Sequence, residues 1–183
     1  MEIKETFIKD LLIIQPRVFP DKRGYFFESY NAEKFKKNGL SMSFIQDNIS
    51  KSQKGVLRGL HFQKPPYAQG KLVYVLRGEV LDVAVDLRKN SPTYGKYFSI
   101  KLSEENKTQL YVPKGFAHGF ATLEENTIFA YKCTDYYNKS AEDSIFWDDP
   151  TLNIDWLIEN PIVSEKDQEA NTFNDFDSPF EYG

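Results

Sequence analysis

The sequence predicts an all-β jelly roll, on three observations. Short runs rich in β-branched and aromatic residues recur through residues 11–134, turn residues separate them, and a single segment carries clear marks of a helix. Taken in order, the runs that read as strands are Leu11–Gln15, Tyr25–Tyr30, Phe44–Ser50, Val56–Phe62, Lys71–Leu76, Glu79–Asp86, Tyr97–Leu102, Gln109–Val112, Phe120–Leu123 and Thr127–Thr134. Between Leu76 and Glu79 the pair Arg77-Gly78 is a tight hairpin signal, because Gly78 can take the positive φ such a turn demands. The helix is Asn31–Asn38, with Asn31 as N-cap, Glu33 in the first turn, lysines in the last and Gly39 as the stop. A second short helix is expected within Asp155–Glu159. From about Ser164 the chain is polar, but Phe173, Phe176 and Phe180 punctuate it, so this tail is expected to pack back on the body.

Length and composition bound the class. A chain of 183 residues suits one domain spanning 1–183, and no linker, low-complexity stretch or repeat divides it. Its 27% charged and 40% hydrophobic residues match a soluble globular protein, with no apolar run near the roughly 18 residues that a membrane span requires. The N-terminal MEIKETFIKD has no apolar h-region, which predicts a cytoplasmic location. The lone cysteine, Cys133, sits among apolar neighbours and reads as a core residue. A net charge of -4 argues against a general nucleic-acid binder, so an anionic ligand would have to be met by a few placed cations. Arg23, Arg58 and Lys71, in or beside strand-like segments, are candidates.

The chain has only two histidines, His61 in VLRGLH and His118 in PKGFAHGF, each near glycine in a strand-turn setting. Taken alone, either is more often a satisfied structural group than a catalyst. Two histidines exclude a three-histidine metal site, although they could join a carboxylate in a facial triad. Tyr131, one of 11 tyrosines, and Asp167, a charge in a polar tail, carry little weight by themselves.

Longer strings add more. DKRGYFFE from Asp21, QDNIS from Gln46, GVLRGLHFQ from Gly55, GKLVYVLRGEVLDVAVDLRKNSPTYG from Gly70, VPKGFAHGF from Val112 and WDDP from Trp147 together resemble the dTDP-4-dehydrorhamnose 3,5-epimerases, over nearly the whole chain. The resemblance implies a cupin-type jelly-roll barrel, a cytoplasmic homodimer and no metal or other cofactor. Its implied substrate is dTDP-4-dehydro-6-deoxy-D-glucose, whose C4 ketone acidifies the protons on C3 and C5. His61 matches the family's base, Asp167 the carboxylate that orients it, Tyr131 the acid on the opposite face and Lys71 the donor to the C4 oxygen. His118 resembles a substrate-contacting second histidine. Arg23, Arg58 and Lys166 resemble diphosphate and sugar contacts, Glu28, Gln46, Asn48 and Glu142 polar contacts, and Tyr137 the platform for the thymine ring.

One expectation comes from geometry. Arg58 and His61 are an odd number of residues apart, so a regular strand would point them to opposite faces. A bulge or strand end near Gly59 is therefore expected. Four other readings remain open at this level: an epimerase acting at C3 alone, one acting on another nucleotide-linked 4-keto sugar, a metal-dependent cupin oxygenase using His61, His118 and Glu28, and a catalytically silent sugar-binding module.

Overall fold

A computed structural model describes residues 1–183. Two facing antiparallel sheets form a jelly roll. One has six strands in the order β1 (Glu2–Glu5), β2 (Leu12–Gln15), β10 (Gln109–Val112), β7 (Lys71–Arg77), β12 (Thr127–Cys133) and β5 (Gln46–Ser52). The other has five, in the order β13 (Glu142–Ser144), β6 (Leu57–Gln63), β11 (Phe116–Thr122), β8 (Glu79–Asp86) and β9 (Tyr97–Ser103). Strands β3 (Val18–Asp21) and β4 (Gly24–Phe27) form a separate hairpin whose tip is Lys22-Arg23.

Alternation along the strands explains the layering. On β7, Val73 and Val75 face the layer between the sheets, where they meet Val80, Ala84, Phe116, Phe120 and Phe129. Leu72 points the other way and packs with Ile14 under Phe35 of α1 (Ala32–Lys37). From Val80 to Asp86, β8 is buried on both faces, because the C-terminal tail covers the outer face of its sheet. There Leu81, Val83 and Val85 meet Trp156, Phe173, Phe176 and Phe180. Each large apolar side chain so buried contributes about 1.5–3 kcal/mol. The tail is further tied down where Leu87 O accepts from Ser178 Oγ and Phe180 O accepts from Lys89 N at 2.9 Å.

Several local expectations hold. Helix α1 starts at Asn31, whose side chain accepts from Lys34 N at 3.1 Å, and Gly39 follows at φ +83°. Cys133 is buried. Others are corrected. The segment Asp155–Glu159 is not helical: Leu157 has φ +58°, which a right-handed helix cannot contain, and Trp156 instead buries its ring and donates Nε1 to Trp147 O at 2.9 Å. The second helix is α2 (Glu165–Gln168), capped by Ser164. Arg77-Gly78 does not close a hairpin. Gly78 has the expected positive φ, +79°, but it carries the chain around a corner from the six-stranded sheet to the five-stranded one, so β7 and β8 never pair. Strands β1, β3 and β13 were not foreseen, and the run Tyr25–Tyr30 narrows to the hairpin strand β4. His118, expected on a turn, lies in the middle of β11, which begins at Phe116 rather than Phe120.

Candidate active site

Gly59 is the backbone device that builds the site. In the β6–β11 pairing, His61 opposes His118 and Arg58 opposes Phe120, so three steps on one strand match two on the other. This is the expected bulge, and it brings Arg58 and His61 to the same cavity despite their odd spacing. Only glycine fits: Gly59 has φ +144°, and a Cβ there would meet Gly119 Cα at 2.6 Å.

On this wall His61 Nε2 lies 2.6 Å from Asp167 Oδ1. The carboxylate comes from α2 in the tail, where it is 4% exposed, whereas the His61 ring is 31% exposed toward the cavity. Its second oxygen accepts from Gly59 N at 3.4 Å. Burial by itself would raise the Asp167 carboxyl, but the hydrogen bond and positive field of His61 outweigh it and hold the group below the usual carboxylate value. With Nε2 donating to Asp167, the lone pair of the neutral ring is on Nδ1.

The opposite wall is the six-stranded sheet. Tyr131, on β12, lines the same cavity as His61 and makes no side-chain hydrogen bond, and burial pushes its phenol above the usual value. Lys71 opens β7 on the face of Val73 and Val75, as alternation predicts, and reaches the cavity with no ion pair or hydrogen bond to its ammonium. Burial pushes that ammonium down from its ordinary value, while Cys133, Asp82 and Glu142 only partly hold it up. An unpaired ammonium and an unpaired phenol facing an oriented imidazole amount to a donor for developing negative charge between an acid and a base.

His61, Lys71 and Tyr131 are shared by two lobes. The outer, of about 320 Å³, adds Gln46, Asn48, Gln63, Tyr137 and Glu142 among others. Here Tyr137 Oη donates to Glu142 Oε2 at 3.0 Å, Lys166 Nζ lies 2.6 Å from Glu142 Oε1, and Gln46 Oε1 accepts from Tyr137 N at 2.9 Å. Burial raises the Glu142 carboxyl, but the bonds from Lys166 and Tyr137 outweigh it and set it below the usual value. The inner lobe, of about 230 Å³, adds Ser50, Arg58, His118, Phe120 and Phe129. His118 Nε2 is held by both oxygens of the fully buried Asp82, at 3.0 and 2.9 Å, and burial raises that carboxyl despite the histidine.

Two expected contacts are not brought here. Arg23 projects at the β3–β4 tip, 84% exposed, and its guanidinium closes on Asp21 at 2.6 Å. Glu28 is tied to Lys34 at 2.8 Å and accepts from Asn31 at 3.0 Å in a different concavity. The donors considered for a metal, His61, His118 and Glu28, therefore do not converge, and no other group of three His, Cys, Asp or Glu side chains does. Asp82 and Ser50 were missed. A lone charge in the apolar run VLDVAV signals the first, and the period of two that aligns Gln46 and Asn48 continues to the second.

Comparison with known proteins agrees with this geometry. The dTDP-4-dehydrorhamnose 3,5-epimerase from Shigella flexneri is 52% identical over 97% of this chain and 98% of its own. The namesake from Salmonella typhimurium is 54% identical over 93% and 94%. Among solved structures, an epimerase from Legionella pneumophila in complex with dTDP-4-keto-L-rhamnose superposes with a TM-score of 0.95 at 49% identity, covering 100% of this chain and 99% of that one. The sequence pattern described as dTDP-4-dehydrorhamnose 3,5-epimerase matches residues 5–175, and the chain belongs to that family.

Proposed function

We propose that this chain inverts C3 and C5 of dTDP-4-dehydro-6-deoxy-D-glucose, giving dTDP-4-dehydro-L-rhamnose in dTDP-L-rhamnose biosynthesis. The observation that carries the proposal is the His61–Asp167 pair on one sheet facing Tyr131 and the unpaired Lys71 on the other. His61 Nδ1 removes the proton from a carbon beside the C4 ketone. The electron pair moves to the C4 oxygen, where Lys71 meets the negative charge. Tyr131 then delivers a proton to the opposite face of that carbon; the imidazolium of His61 releases its proton to solvent and the Tyr131 phenolate takes one back. Repeating the cycle at the second carbon completes the reaction, and no step calls on a metal or other cofactor.

The diphosphate and nucleoside are assigned to the outer lobe, with Tyr137 beneath the thymine ring and Lys166, Gln46, Asn48 and Glu142 as polar contacts. Arg58 and His118 are assigned to the sugar. Arg23 and Glu28 lie away from their own cavity, which suits a homodimer in which the β3–β4 region reaches a second copy. Exposed Phe19, Tyr25 and Phe26 on that hairpin, and Ile49 on the open edge of β5, are the apolar surface such a dimer would cover. The chain is read as one catalytic domain, located in the cytoplasm.

Proton NMR of the substrate in deuterated water tests the reading. Exchange at both C3 and C5 is expected, and no exchange with fresh substrate rejects it. Exchange at C3 alone would favour a narrower enzyme, since a 3'-monoepimerase from Streptomyces bikiniensis has the same fold at 30% identity and a TM-score of 0.87.

A further inference from the structure

The inner lobe contains a polar group that the reaction does not use. Ser50, on β5, sits opposite Phe129 in the β5–β12 pairing, and its hydroxyl is buried with no hydrogen-bond partner. Leaving a buried hydroxyl unpaired is costly, and of the four buried polar side-chain atoms without a partner in the chain, the Ser50 hydroxyl alone belongs to a residue lining this cavity. Two further polar groups face the same lobe, one a donor and one an acceptor. Arg58 spends Nε on Ser52 Oγ at 3.2 Å, leaving both terminal nitrogens free, and His118, held through Nε2, leaves Nδ1 free. Beside them Phe120 and Phe129 stack at 4.2 Å between ring centroids, giving the lobe an apolar floor. A hydroxyl, a guanidinium and an imidazole gathered in one lobe with two aromatic rings match the hydroxyl-bearing edge of a hexose ring, not its methyl-bearing edge.

Resting on the function proposed above, that edge carries the oxygens on C2 and C3. The C3 carbon changes hand during the reaction, so a fixed donor cannot serve its oxygen equally before and after. The C2 carbon keeps its configuration throughout. We infer that Ser50 is a specificity residue whose hydroxyl bonds the C2 oxygen of the hexose, beside Arg58 and His118. Ser50 thus keeps the non-reacting edge of the ring in register while C3 and C5 are turned.

The test compares kcat/KM of the native protein and Ser50→Ala on the substrate and on its 2-deoxy analogue. Ser50→Ala is expected to lose about 5- to 10-fold on the 2-hydroxy sugar, the range of a neutral hydrogen bond, and to stay within about two-fold of native on the 2-deoxy sugar. An equal loss on both sugars, or none on either, overturns the inference. Thermal unfolding without ligand provides a second reading: Ser50→Ala should melt at or above the native temperature, because it removes an unpaired buried hydroxyl, and a clear drop would make Ser50 a structural residue instead. Native protein that exchanges neither C3 nor C5 would remove the epimerase reading and this one with it, whereas active native protein lacking the sugar-dependent split overturns Ser50 alone.

Discussion

Replacing Asp167 with Asn tests the catalytic pair at the same size and shape. The carboxylate now has two partners, His61 Nε2 at 2.6 Å and Gly59 N at 3.4 Å. Asparagine can keep both only by turning its amide to His61 and its oxygen to Gly59 N. That forces the proton onto Nδ1 and removes the lone pair from the cavity, an error that costs about 10⁴-fold in the hydrolase triad. Holding the oxygen on His61 instead sets the amide against the Gly59 N–H, donor to donor. The orientation that satisfies both partners is favoured, so kcat should fall by about 10⁴-fold. KM should hardly move, because Asp167 lies behind His61 and does not line the cavity. Deuterium incorporation at C3 and C5, followed by NMR, measures the rate. Native kcat, or an unchanged kcat with a raised KM, would refute the assignment of Asp167 as the group that orients the base. The same variant carries a stability signature. Because the Asp167 carboxyl is held below its ordinary value, the unfolded chain binds more protons between the two pKa values, and stability rises with pH there. That contribution is complete above about pH 4 and is lost as pH falls through the folded value, so urea unfolding of Asp167→Asn should show a flatter acid limb.

Three other outcomes are expected. Lys71→Ala removes the only unpaired ammonium in the cavity and should lower kcat by about 10²- to 10³-fold, the cost of losing one oxyanion donor; a loss confined to KM would reassign Lys71 to ground-state binding. Tyr131→Phe should separate exchange from inversion: His61 still removes and returns protons on one face, so NMR should show deuterium entering the substrate with little epimer formed. Asp86→Asn should lower the melting temperature by about 6–20 °C while leaving turnover largely intact. It breaks a buried pair with Arg88 at 2.8 Å, a loss of about 3–5 kcal/mol in a chain where each kcal/mol is worth about 2–4 °C.

Legibility in the sequence followed the range of the interactions. Strand alternation is local, and it placed Lys71 beside Val73 and Val75 on the cavity face and aligned Gln46 with Asn48. The odd interval between Arg58 and His61, with a glycine inside it, was enough to require the bulge. Glycine was less readable elsewhere. Gly78 needs a positive φ in either a hairpin or a corner, and which of these forms depends on the sheet that receives the next strand. Gly119 looked like a turn next to His118, but it lies within β11, where its missing side chain admits the backbone of Gly59. Trp156 sits in a segment that reads as a helix, yet burial of its ring against the tail and the outer sheet face outweighs helical propensity there.

The sequence alone determined the all-β class, the helix Asn31–Asn38 with its cap, the docking of a phenylalanine-marked tail and, through resemblance, the family. Each of these rests on local periodicity, turn chemistry or long matched strings. Resemblance paired Asp167 with His61 and set Tyr131 opposite them, but only the tertiary structure shows how Asp167 meets His61 across 106 positions, that Tyr131 comes from the other sheet, and that Arg23 and Glu28 lie away from this chain's own cavity. These are contacts between surfaces that no spacing along the chain encodes. They exist because two sheets pack face to face and the tail closes over one of them.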